Sequence, residues 1–453
     1  MPIMAGPTYE EMLYPAKQPE WAKRAAANAR NSELDPANLF NIHWRSSSNQ
    51  IRHVVLTREL TGVEANIVVL IGRDFPSGSH KVGPAYSILM ESELAGEIEQ
   101  GTSVIVGPST GNFGIGVAYI SKLEGYPAIV IMPDQMSPER YERIRQYGAK
   151  LDLTPGSESD VILVLERTKH YRTDAHNKVM AQFELLPNYR FHRYVTGGSA
   201  MEAARVHGNG RVAAFVSAPG SAGTLAAGED IKARFPECVI EALEPRECPT
   251  LFNGGCGKHR IEGIGDKMVP LIHNVLSTDY VALIHDDDCV MGLALLERHQ
   301  RFLESALHMA EGSLQRLRGM FGISGLCNVL GSIRLARFLH LGPNENVVTV
   351  ATDGFDRYPS VLANLEQRTG PIPETVLKQW VERIFRNEDT KDILDTRASG
   401  EKERLFRCKE ELWMQLGYSQ TYLNKMKSQS FWEEAREKIR EIDGQLLRVR
   451  MRN

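Results

Sequence analysis

Lys81 closes the turn Phe75-Pro76-Ser77-Gly78-Ser79-His80-Lys81, which follows the apolar run Asn66 to Ile71. An amine held in a crowded turn after a buried strand loses hydration, so its pKa falls and its lone pair is freed to condense with an aldehyde. That is the chemistry of a Schiff-base lysine. Two further turns carry small and hydroxyl-bearing residues. Gly107-Pro108-Ser109-Thr110-Gly111-Asn112-Phe113-Gly114 separates the run Ser103 to Val106 from a helical pattern over Ile115 to Leu123. Ser217-Ala218-Pro219-Gly220-Ser221-Ala222-Gly223-Thr224 joins the run Arg211 to Val216 to a helical pattern reaching Arg234. Backbone N–H groups at such strand-to-helix junctions, with the positive end of the helix dipole, hold a phosphate or a carboxylate.

The elements that must present these turns alternate between β-like apolar runs and amphipathic helical patterns, which predicts an α/β fold with parallel sheets covered on both faces. Expected strands are Asn66 to Ile71, Ser103 to Val106, Ala128 to Met132, Arg211 to Val216, Val239 to Leu243, Tyr280 to Ile284 and Asn346 to Ala351. Expected helices between them include Pro138 to Tyr147, Asp160 to Lys169, Ser199 to His207 and Asp288 to Glu297. No repeat or low-complexity tract interrupts the pattern.

Taken in order, these segments resemble the cysteine synthase family, the fold type II enzymes that use pyridoxal 5'-phosphate (the tryptophan synthase beta-like superfamily). The family's Asn-Pro-Thr-Gly-Ser-Phe-Lys turn corresponds to Phe75 to Lys81, and its Thr-Ser-Gly-Asn-Thr-Gly loop to Ser109 to Gly114. Its Gly-Thr-Gly-Gly-Thr phosphate cup corresponds to Gly220, Ser221, Ala222, Gly223 and Thr224. Glu262-Gly263-Ile264-Gly265 and Gly322-Ile323-Ser324-Gly325 match two later family segments, and Thr352-Asp353-Gly354-Phe355-Asp356-Arg357-Tyr358 matches the closing turn.

The resemblance covers roughly residues 36–360 and implies a two-subdomain catalytic fold, the smaller and mobile subdomain spanning about 85–198. It implies that Lys81 holds pyridoxal phosphate and moves the substrate's α-proton. Gly220 to Thr224 would bind the cofactor phosphate, with Gly263 at the cofactor and Asn112 beside its ring oxygen. Ser109, Thr110 and Gly111 would grip the substrate carboxylate. Phe113 departs from the family's Thr or Gln: it cannot donate a hydrogen bond, so either other donors hold the carboxylate, or the substrate is unusual, or Phe113 points into the subdomain core and a shifted backbone N–H replaces the hydroxyl. At the pyridine nitrogen the family places a hydroxyl, and Thr352 and Asp353 both fall there, Thr352 being preferred. A homodimer is implied as well.

Composition fits such an enzyme. With 453 residues, 53 Lys and Arg against 57 Asp and Glu, and a net charge of -4, the chain lacks the basic run of a nucleic-acid or polybasic membrane surface. Small molecules are the expected partners: an amino acid, with sulfide or a thiol as second substrate. The cysteines at 238, 248, 256, 289, 327 and 408 show neither zinc-ligand spacing nor a disulfide framework. Met1 to Glu11 lacks a secretory pattern, so the expected location is cytoplasmic. No metal is indicated, because Asp286-Asp287-Asp288 reads as a helix cap. His80 reads as a packing residue; His192 and the pair His259-Arg260 are candidates for the active-site mouth, the pair the better of the two, but neither is assigned there. Residues 1–35 and 361–453 lie outside the resemblance, the second read as a docked helical extension. The function expected is cysteine synthase-like β-replacement on a 3-substituted L-alanine through an aminoacrylate. The alternative is a β-eliminating lyase of desulfhydrase, dehydratase or ammonia-lyase type that releases pyruvate and ammonia.

Overall fold

The computed structural model describes residues 6–452. Eleven strands form two sheets: β1 (His53–Leu56), β2 (Asn66–Ile71), β3 (Val104–Pro108), β4 (Ala128–Pro133), β5 (Lys150–Thr154), β6 (Asn177–Val179), β7 (Val212–Ser217), β8 (Val239–Pro245), β9 (Tyr280–Ile284), β10 (Asn346–Ala351) and β11 (Ile393–Asp395). The larger sheet has the order β1-β2-β10-β7-β8-β9-β11, and the smaller has β5-β4-β3-β6.

The interior of the larger sheet is parallel, with antiparallel β1 and β11 at its two edges. Five of the six residues of β2 and all six of β10 are buried, as strands covered by helices on both faces require. The smaller sheet is parallel throughout. Four strand ends therefore deliver the chemically interesting turns to one edge of their sheets. Lys81 follows β2, Ser109 to Gly114 follow β3, Gly220 to Thr224 follow β7, and Thr352 and Asp353 follow β10. In open α/β sheets the crevice beyond the carboxyl ends of the strands is where ligands bind.

The two sheets meet through helices that start at those turns. The helix Val82–Leu94 begins at Lys81 and packs on the helix Asn112–Leu123 from the smaller sheet. Gly116 makes this approach possible, since a Cβ there would stand 3.1 Å from the Lys81 carbonyl oxygen.

Residues 361–453 are mostly helical but also supply β11, which pairs with β9 and extends the larger sheet. The longest helix, Gln429–Arg452, buries Trp432, Ala435, Ile439, Ile442 and Leu446, a spacing of three and four that places them on one face. Its polar side holds the other end of the chain: Asp443 accepts the Tyr9 backbone N–H at 2.8 Å, and Arg450 pairs with Glu11 at 2.7 Å. Tyr9 and Met12 in turn belong to the same apolar core as Tyr86 and Phe113.

Candidate active site

Lys81 is 9 % exposed, and its Nζ lies 3.2 Å from Gln182 Oε1 and 3.3 Å from Ser221 Oγ. Burial pushes its amine down to about 8, against the opposing pull of Asp266 and Glu158. At that value about one amine in ten is neutral at pH 7, several hundredfold more than for an exposed lysine.

Behind the lysine stands a fully buried aromatic group. His80 is tilted against Trp44 with ring centroids 5.5 Å apart and meets His192 edge-on at 5.1 Å. Neither ring nitrogen of His80 has a hydrogen-bond partner among the described residues, which fits a packing residue. His192 sits on a π-helical turn, Phe191–Thr196, and its Nδ1 lies 2.9 Å from Thr196 Oγ1. His192 therefore does not border the mouth: its ring turns inward and meets His80 edge-on behind Lys81. His259 and Arg260 do line an open cavity, and Arg260 is tied to Asp286 and Asp287 at the start of the helix Asp286–Arg298.

The turn after β7 has the backbone of an anion cup. Ala222 adopts φ +63°, and the helix Leu225–Arg234 starts directly after Thr224. None of the backbone N–H groups of Gly220 to Thr224 donates to a protein acceptor among the described residues. Ser221 Oγ accepts from Asn188 Nδ2 at 2.9 Å, and Thr224 Oγ1 lies 2.8 Å from Ser217 Oγ. Gly263, at φ +98°, leaves open space where a side chain would stand.

In the turn after β3 the hydroxyls are already engaged. Ser109 Oγ accepts the backbone N–H groups of Gly111 and Gly114 at 3.0 and 2.9 Å, so it shapes its own loop. Thr110 Oγ1 donates to Glu158. Phe113 is 1 % exposed and packs in the apolar core, a placement that the sequence left open, and it lends the cleft no donor.

Asn112 Nδ2 donates to Asp353 Oδ2 at 2.7 Å, and its Oδ1 accepts from Arg357, which also donates to the Ser77 carbonyl in the lysine turn. The Tyr358 hydroxyl donates to the same Asp353 oxygen at 2.8 Å. Arg140, fully buried, donates to Tyr358 at 3.0 Å and pairs with Glu262. The fold thus brings Lys81, the cup, Thr110, Asn112 and Asp353 around one space. It adds Arg140, Glu158, Gln182, Asn188 and Asp266, which sequence reasoning did not single out. Three of these follow strands the sequence conceals: Glu158 lies past β5, and Gln182 and Asn188 past β6.

The family model described as "Pyridoxal-phosphate dependent enzyme" matches residues 72–353, an interval that holds the turns of Lys81, Ser109 to Gly114 and Gly220 to Thr224 and reaches Asp353 in the closing turn. This chain belongs to that family. It is 30 % identical over 297 residues to a cysteine synthase of Staphylococcus aureus, covering 65 % of this chain and 88 % of that one. It is 34 % identical over 286 residues to a probable cysteine synthase of Bacillus subtilis, covering 63 % and 85 %. Among solved structures it is similar to a hydrogen sulfide-producing enzyme of Fusobacterium nucleatum, with a TM-score of 0.58, 27 % identity, and coverage of 76 % of this chain and 95 % of that one. A cysteine synthase of Entamoeba histolytica shares the fold at a TM-score of 0.62 with 22 % identity, over 77 % and 95 % of the chains.

As a member of this cysteine synthase-like, fold type II family, the protein is a pyridoxal-phosphate-dependent enzyme. The residues present fit the cofactor: a buried amine of lowered basicity stands beside a turn whose five consecutive N–H donors have no protein acceptor among the described residues. Those N–H groups and the following helix start are what a phosphate requires.

Proposed function

We propose that this enzyme exchanges the β-substituent of a 3-substituted L-alanine for sulfide or another thiol. The observation that carries the reading is Lys81, buried and partly neutral, with its Nζ 3.3 Å from the cup serine and the carboxylate-loop threonine held across the same space. The two cysteine synthases that the chain resembles support it.

Bound pyridoxal phosphate supplies an aldehyde and an electron-withdrawing ring that acidifies the substrate's α-hydrogen. The protein's share is geometric and acid–base. Gly220, Ser221, Ala222, Gly223 and Thr224 hold the phosphate through N–H groups and hydroxyls. Asn112, its oxygen tied to Arg357, presents its amide hydrogens in a fixed direction, one of them free for the ring oxygen. Thr110 and Gly111, with the loop that Ser109 shapes, orient the substrate carboxylate so that the α-hydrogen faces Lys81. Lys81 then takes and returns that proton. Asp353 Oδ2 is committed to Asn112 and Tyr358 while its Oδ1 is buried without a partner, and Thr352 makes no side-chain hydrogen bond among the described residues; Thr352 is the hydroxyl assigned here to the ring nitrogen, in line with the family pattern. The reading includes a homodimer in the cytoplasm.

Elimination without replacement is the second reading, and the similarity to a hydrogen sulfide-producing enzyme favours it. Product analysis separates the two. Holoenzyme is incubated with O-acetylserine, serine, cysteine or cysteate, with and without sulfide, and cysteine, pyruvate and ammonia are quantified. Cysteine formed only when donor and sulfide are both present supports replacement. Steady pyruvate and ammonia with no nucleophile makes the enzyme a lyase, and no turnover of any donor overturns both readings.

A further inference from the structure

Glu158 and Asp266 are two buried carboxyls that the chemistry above does not use. Glu158 follows β5, is 2 % exposed, and accepts from the Thr110 hydroxyl through Oε1, while its Oε2 is buried without a hydrogen-bond partner. Asp266 follows the Glu262-Gly263-Ile264-Gly265 turn, is 5 % exposed, and likewise has an unpartnered oxygen. Among the described residues neither carboxyl has a cation within ion-pair distance, since Lys81 Nζ bonds to Gln182 and Ser221 and Arg140 pairs with Glu262. Glu158 lines a cavity of about 350 Å³ with Glu262 and His259, so it stands between open space and the loop expected to hold the substrate.

Two neighbouring carboxyls buried without a direct ion pair do not both ionise readily: each charge raises the cost of the other, and burial raises the cost of both, while Arg140 and Lys81 only partly offset it. The direction of their titration agrees. Burial pushes Glu158 up to about 7 despite Arg140 and Thr110, and burial followed by the Glu158 charge pushes Asp266 well above the ordinary carboxylate range. A carboxyl that keeps its proton near neutrality, within a cleft that already contains a base, is placed to work as an acid.

We infer that Glu158, backed by Asp266, protonates the departing β-substituent, and that the substrate is a 3-substituted alanine whose substituent is a hydroxyl or an amino group. The inference rests on the proposed β-carbon chemistry. Lys81 takes the α-proton and the C–H electron pair becomes the Cα=Cβ bond. The Cβ–X pair leaves with X, and X takes the proton of Glu158 to depart as water or ammonia. The proton gained by Lys81 then restores Glu158. Acetate leaves as a stable anion and needs no such donor, whereas hydroxide and amide ions do. A buried acid at this place therefore selects between substrate classes.

The test compares wild-type and E158Q holoenzyme on L-serine, L-2,3-diaminopropionate and O-acetyl-L-serine. Glutamine keeps the size of the side chain and an acceptor for Thr110 but carries no acidic proton. The rate on serine or diaminopropionate is expected to fall by about 100-fold or more, and the rate on O-acetylserine by a far smaller factor. Equal losses on all three, or a wild type that uses O-acetylserine alone, overturn the inference while leaving β-carbon chemistry intact. A wild type inactive on all three overturns the inference, and one that is inactive on cysteine and cysteate as well overturns the proposed function too. Infrared difference spectra of the two holoenzymes without substrate give an independent readout. A protonated-carboxyl stretch present in wild type and diminished in E158Q supports the inference, and identical spectra overturn it.

Discussion

Asp353 organises more of the site than any other single side chain. One of its oxygens accepts from Asn112 at 2.7 Å and from Tyr358 at 2.8 Å, and Arg140 lies 3.9 Å away. An amide in its place can keep its oxygen towards Asn112 and Tyr358, but it puts an NH2 group where the unpartnered Oδ1 is buried and removes the negative charge between Arg140 and Arg357. D353N is therefore expected to cost about 1–3 kcal/mol in chemical denaturation. T352A, at the half-buried neighbour, should leave stability nearly unchanged and slow turnover about tenfold, the worth of one well-placed hydrogen bond. A T352A enzyme of full activity beside a D353N enzyme that folds but fails would move the ring-nitrogen role to Asp353. The turns that carry Lys81, Asn112 and the Gly220 to Thr224 segment were legible because each follows a strongly apolar strand and ends in small residues. Arg140, Glu158 and Asp266 were not, because what distinguishes them is the loss of solvent, and a charged side chain carries no mark of burial in its own letter.

At the scale of elements, strand type decided what could be read. β2, β9 and β10 are continuous apolar runs, and the expected and observed boundaries coincide. β5 reads Lys-Leu-Asp-Leu-Thr, an edge strand whose Lys150 and Leu153 are exposed, and β6 has three residues, too few to show a period. β11 escaped notice because its three residues lie in a strongly charged, helix-rich stretch and gain their strand character only by pairing with β9. The docking of the last helix depends on Arg193, which is 1 % exposed. It lies 2.6 Å from Glu433 and 3.0 Å from Asp230, and donates to the Trp432 carbonyl at 2.7 Å. R193A removes the bonds from the last helix to this buried guanidinium, while Asp230 keeps Arg436 and Glu433 faces solvent, and is expected to cost about 1–3 kcal/mol. Limited proteolysis of that variant should cut first near residues 425–430, and an unaltered digestion pattern would show that the helix is held without it.

For the whole molecule, the C-terminal segment also sets a pH dependence. Lys409 is wholly buried, with its Nζ 3.1 Å from the Leu271 carbonyl oxygen and bonded to that of His273. Burial lowers its pKa from 10.5 to about 7, against a smaller opposing effect of Glu229. Between those values the unfolded chain binds a proton that the folded chain does not, so stability rises with pH across this window. Relative to K409M, wild type should gain up to about 1.4 kcal/mol per pH unit there, read as the difference in denaturation midpoint at a series of pH values. A difference that stays constant would place the charge on Lys409 throughout.

The clasp between Asp443 and the backbone of Tyr9 spans 434 residues of sequence. At ordinary rates of translation the first helix waits roughly 20 to 90 s for the partner that caps it. Throughout that wait Tyr9 and Met12 are without the helix that closes over them. The order of synthesis therefore makes the last helix the step that seals the core, and a ribosome stalled before it would hold a chain with every catalytic turn made and its first segment still unlatched.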